Sequence, residues 1–91
     1  MKVSEIVEKL LEHQGLEDRM LMHRAMQAWG QVVGPLINRH TLQRRVDGAG
    51  TLLVHIDSGP MRQELSMHKA PLLKALNAAA GKDVLLDIRF I

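Results

Sequence analysis

Cysteine and tyrosine are absent from these 91 residues, and the aromatic side chains are only two, Trp29 and Phe90. Without cysteine there is no disulfide framework and no thiolate for zinc or for nucleophilic attack, which suits a reducing cytoplasm. No apolar run approaches the ~20 residues that span a bilayer. The opening MKVSEIVEKLLEHQG carries three glutamates, which breaks up the apolar core a signal peptide needs. The five histidines, His13, His23, His40, His55 and His68, never fall within four residues of one another, so no HExxH or finger spacing arises. GxSxG, P-loop and GxGxxG patterns are also missing. Four of the five hydroxyl residues, Ser4, Thr41, Thr51 and Ser58, stand at the starts of expected elements, where caps and strand ends explain them; Ser66 is the fifth. These absences point away from an enzyme, a metal protein, a cofactor carrier and a membrane protein.

Acidic residues are missing from one long stretch. Residues 19–46 hold Arg19, Arg24, Arg39, Arg44 and Arg45 and no aspartate or glutamate, a balance of +5. Residues 1–18 carry −3, and the remainder cancels, so the net charge of +2 conceals the asymmetry. A central all-arginine block beside an acidic first segment suits a polyanion-facing surface; a solvated helix and strand would use the same residues. Nucleic acid demands cations for phosphate and, for single strands, flat groups for stacking. The chain has the first and almost none of the second. Binding is therefore expected to be dominated by the backbone and steeply salt-dependent, without the aromatic platform of an RRM.

Ninety-one residues allow one domain, so residues 1–91 read as a single unit with every apolar face in use. Val3, Ile6, Val7, Leu10 and Leu11 follow helical spacing, with Ser4 as cap and Gly15 as stop. A second helix carries Met22, Met26, Trp29, Val33 and Leu36 on one face, flanked by Ala25 and Val32. It ends or bends at Gly34-Pro35, with a further short turn at Leu36-Ile37. Gly30, costly within a helix, implies that a neighbour packs close.

The period then changes to two. TLQRRV (41–46) and TLLVHID (51–57) flank Asp47-Gly48-Ala49-Gly50, a hairpin with a four-residue loop. Leu42, Arg44 and Val46 are expected on one face, as are Leu52, Val54 and Ile56, with Arg44 near an edge. Ser58-Gly59-Pro60 starts a third helix. Its stripe runs through Met61, Leu65, Leu72, Leu76 and Ala79/Ala80 to Gly81, with a kink or break near Pro71. VLLDIRFI closes the chain as a strand with Val84, Leu86, Ile88 and Phe90 on one face. The order is α-α-β-β-α-β, an α+β domain of two layers with a three-stranded sheet.

The ordered set Trp29-x-x-Val32-Val33-Gly34, His40-Thr41, Gly50-Thr51-Leu52-x-Val54, Asp57-Ser58, Glu64-Leu65, Leu72-x-x-x-Leu76-Asn77 and Gly81 resembles the DciA family, over roughly residues 22–90. These are bacterial accessory proteins of the replicative helicase, long catalogued as a domain of unknown function. The segment from Met61 to Ile91 looks like the short single-domain members of the Bacteroidetes group. The resemblance implies a KH-like domain of type II order, contact with the ring helicase, and affinity for DNA in single-stranded or branched forms. It marks Trp29, Gly34, His40, Thr41, Ser58 and Leu65 as motif residues. Three departures stand out. The chain has no GxxG, the loop by which KH domains grip nucleic acid, and Met67–Pro71 is where it would be sought. The long extension implicated in helicase contact in larger members has no counterpart after the last strand. Met61 stands where many relatives have tryptophan.

The expected function is a non-enzymatic replication accessory domain, with Arg39, Arg44 and Arg45 on phosphate and Arg62 and Lys69 as outer contacts. Two rivals remain: a protein-binding adaptor or homodimer, using the Met/Leu surface of residues 20–26 or an edge strand, and an RNA-binding KH-like module. Trp29 is either the anchor of its helix or part of a contact.

Overall fold

A computed structural model of the chain describes Ile6 and residues 15–91. The expected first helix therefore lies outside the described residues, apart from Ile6, which is helical and exposed. The described elements are α1 (Leu16–Gln27), α2 (Trp29–Arg39), β1 (Thr41–Val46), β2 (Thr51–Ile56), α3 (Gly59–Ser66), α4 (Lys69–Ala80) and β3 (Asp87–Phe90). Among the described residues the fold is α+β, with four helices and a three-stranded sheet of order β1-β2-β3. β1 runs antiparallel to β2 and β3 parallel to it, so the sheet is mixed. The core gathers Ala25, Trp29, Leu52, Val54, Ile56, Leu65, Leu76, Ala80, Val84, Leu85 and Ile88.

The second expected helix is two. Ala28 interrupts it in a turn conformation, its N–H shared between the Arg24 and Ala25 carbonyls. α2 then kinks at Gly34, where φ 85° and ψ 171° belong to a region only glycine enters without strain. Residues eight apart on a straight helix are separated by about 12 Å along its axis. Here a Cβ built on Gly30 would lie 3.1 Å from the Asn38 side chain. The kink folds the helix back on itself, and Asn38 is the close neighbour that Gly30 implied. Leu36, expected on the core face, is turned outward by this kink and is 61% exposed.

The third expected helix is also two, broken at Met67–His68. In a continuous helix the Pro71 ring would collide with the carbonyl four residues earlier, that of Met67, and would leave it without a donor. The break falls there, and Pro71 sits in the first turn of α4, where its missing N–H costs nothing. Ser58 caps α3, its Oγ accepting from Met61 N–H at 3.3 Å.

Two strand expectations are corrected. A bulge between Thr41 and Gln43 offsets the β1 register. Thr41 thereby joins Ile56 on the inner face, while Leu42 turns out and is 60% exposed. The closing strand begins only at Asp87. Val84 and Leu85 are both buried and Leu86 is exposed, so alternation fails before it. The cause is Asn77, a buried amide on α4. Its Oδ1 accepts from the N–H groups of Val84 and Leu85 at 3.2 and 2.9 Å, and its Nδ2 donates to the Leu85 carbonyl at 3.0 Å. Three bonds to one side chain hold the segment in a non-strand shape.

Candidate nucleic-acid interface

The motif residues come first: Trp29 and Leu65 are buried, and Gly34, His40, Thr41 and Ser58 are half-buried. Trp29 is fully buried; its ring lies 5.9 Å from Phe90, tilted by 46°. Its indole N–H donates to Thr41 Oγ1 at 3.0 Å, and that hydroxyl donates to the Ile37 carbonyl at 3.0 Å. The β1 bulge brings Thr41 to the face where this chain can form. His40 Nδ1 lies 2.7 Å from Asp57 Oδ1, while Asp57 N–H donates to the His40 carbonyl at 3.1 Å. Leu65 is core. Trp29, Gly34, His40, Thr41, Ser58 and Leu65 thus tie α2, the hairpin and α3 together.

The arginines behave differently. Arg44 and Arg45 enter an open groove of about 460 Å³ between α1 and the hairpin. α1 contributes Arg19, Met22, His23 and Met26, three and four residues apart and hence on one face. The half-buried Met22, Met26 and Val46 add apolar surface to the same lining, and Asp47 is its one acid. Arg44 also lines an adjoining groove with Arg24, Gln27, Gln31 and Asn38. Its Cα pairs with that of core residue Val54, and its head reaches water between the two grooves, as a long cationic side chain at a sheet edge can. Among the described residues, Arg19, Arg24, Arg39, Arg44, Arg45 and Arg89 form no ion pair.

Arg62 and Lys69 lie elsewhere. They line a second groove, at the β3 edge of the sheet, with Gln63, Ser66, Arg89 and Phe90. Arg62 donates to the Ile56 carbonyl, and Lys69 Nζ lies 3.8 Å from Asp87 in an exposed pair. Arg39 ends α2, where a cation complements the helix dipole, and lines neither groove. The five expected contacts therefore divide into Arg44 with Arg45, Arg62 with Lys69, and Arg39 alone. Sequence reasoning did not single out Arg19 and Arg89, which line these two grooves. Arg19 was legible as the residue three before Met22 at the start of the acid-free block. Arg89 joins only through parallel pairing of β3 with β2, for which the sequence carries no local signal.

The acids are largely occupied. Asp18 pairs with Lys82 at 2.9 Å, and Asp57 with His40. Asp47 Oδ1 accepts from Ala49 and Thr51 N–H, both at 2.9 Å, closing the hairpin turn. Those two bonds, Thr51 foremost, hold the Asp47 carboxyl below its ordinary range, with Arg45 and Arg89 adding to the effect. Among the described residues no group of three or more His, Asp or Glu side chains could hold a metal ion, and no helix is long and apolar enough to cross a membrane.

The adaptor alternative has less surface than the sequence offered. Of Met20, Leu21, Met22 and Met26, only Met20 is exposed, while the other three pack on the core. The outer edge of β1 carries a bulge and two arginines, both devices that oppose strand-to-strand pairing.

No curated protein sequence matches the chain. The family model described as "Dna[CI] antecedent, DciA" matches residues 2–90. With nearly the whole chain covered, the protein belongs to the DciA family.

Proposed function

We propose that this chain is a non-enzymatic DNA-replication accessory domain of KH-like fold that acts in the cytoplasm, contacts the replicative helicase, and holds single-stranded or branched DNA by its phosphates. Family membership carries the helicase-loading part of this reading. The observation that carries the DNA part is the α1–hairpin groove, where Arg19, Arg44 and Arg45 line one opening, form no ion pair among the described residues and meet a single carboxylate, that of Asp47. The order α2-β1-β2-α3-α4-β3, with helices on one face of a mixed sheet, supports the KH-like description. The α3–α4 junction, where KH domains carry GxxG, is Met67-His68. With no glycine to admit a phosphate against the backbone, the guanidinium groups take over that task.

Two measurements test this. Single-stranded DNA affinity should fall with salt at a log–log slope of about −0.7 for each neutralised phosphate, giving about −2 for three arginines. A flat salt response would remove the DNA role. The replicative helicase should remain on the immobilised chain after nuclease treatment. Retention lost with nuclease would mean that DNA bridges the two, and no retention at all would remove the helicase role.

A further inference from the structure

The strand register joins the two grooves. Leu53 of β2 pairs with Arg45 of β1 on one side and with Arg89 of β3 on the other. The three residues form one row across the sheet. They lie on the face opposite Leu52, Val54 and Ile56, which are buried under the helices. Neighbouring strands are separated by ~4.8 Å, so the two arginine Cα atoms are about 10 Å apart. Both side chains are exposed, and both act on the Asp47 carboxylate, which places their charges at the same end of the sheet. Arg45 also lines the α1–hairpin groove and Arg89 the groove at the β3 edge.

We infer that Arg45 and Arg89 make the two grooves one track, along which a single nucleic-acid strand runs from Arg19 and Arg44, over the open sheet face, to Arg62 and Lys69. The path rests on the proposed DNA role and adds its direction and its far half. It turns around both edges of a sheet about 10 Å across, which selects the ligand. Duplex DNA stays stiff over ~150 base pairs and can engage one groove at a time, whereas a single strand can follow the bend. The row between the grooves offers Leu53 and no aromatic ring, so phosphates face the protein and the bases remain unread.

The test uses the full chain and fluorescent oligo-dT of two lengths, six and twenty nucleotides, with a blunt twenty-base-pair duplex beside them. Arg89→Ala should weaken binding of the long strand about fivefold at 0.1 M salt and make its salt slope shallower by about 0.7, the value of one phosphate contact. It should leave the short strand and the duplex within twofold of wild type, because each fits the α1–hairpin groove alone. Arg89→Lys should restore the slope. Circular dichroism of each variant establishes that the sheet is intact. If Arg89→Ala matches wild type on the long strand while Arg44→Ala weakens it, the track is wrong and the groove-only DNA role stands. If neither substitution changes any affinity, the DNA role itself falls.

Discussion

Two regions of this domain use their polar groups in opposite ways. Around Trp29 and Asn77 every buried side-chain nitrogen and oxygen among the described residues has a partner. Along the β1 edge and the open sheet face, Arg19, Arg44, Arg45 and Arg89 form no ion pair among the described residues, although the Asp47 carboxylate at the hairpin turn feels Arg45 and Arg89. A satisfied interior is what a small domain needs, since each orphaned group would cost ~1–3 kcal/mol of a total near 5–15. Surface cations without an ion pair contribute little to folding and leave charge for a ligand. The motif residues therefore mostly hold elements together, and the proposed binding chemistry lies beside them.

Substitutions can break this division, beginning with the interior. Trp29→Ala removes a fully buried ring, a hydrogen bond to Thr41 and the contact with Phe90. It should destabilise by about 3–5 kcal/mol in urea unfolding, and the fraction that remains folded should bind DNA with wild-type salt slope. Asn77→Ala strands the Val84 and Leu85 amides and the Leu85 carbonyl. A loss of roughly 2–4 kcal/mol is expected, with hydrogen exchange accelerated most at residues 84 and 85. Gly34→Ala meets no neighbouring atom within 4 Å, so its cost is backbone strain alone, about 1–3 kcal/mol. A cost near zero would mean that the kink is not required.

Asp47→Asn gives the smallest effect and sharpens the boundary between the regions. The folded carboxyl is held below its ordinary value of 3.8. Its charge therefore adds stability that is present above that value and is lost as pH falls through the depressed one. The variant should melt slightly below wild type at neutral pH, and the gap should close under acid. A gap that persists at low pH would assign the effect to turn geometry instead of charge.

Much of this was legible in the residues. The hairpin loop at Asp47–Gly50, the Ser58 cap, the Gly34-Pro35 bend and the Gly81 end all rest on local chemistry that tertiary packing did not override. The misses have a shared cause. The Thr41 bulge and the late start of β3 depend on partners distant in sequence, whereas the break before Pro71 was expected from the proline itself. The same holds for the site. Arg44 and Arg45 could be chosen from the acid-free block, but the division between two grooves and the place of Arg89 follow from a parallel pairing that periodicity does not encode.

The central claim is that folding and ligand contact reside in different side chains, and the Arg44→Ala/Arg45→Ala double variant tests it most directly. Melting temperature and single-stranded DNA affinity across a salt series would be measured on the same samples. Arg45 is exposed and Arg44 half-buried, so stability should stay within about 1 kcal/mol of wild type, the Arg44 stem accounting for most of any loss. Affinity should fall about 25-fold at 0.1 M salt, with a slope shallower by about 1.4. Unchanged affinity and slope in a folded variant would contradict the account.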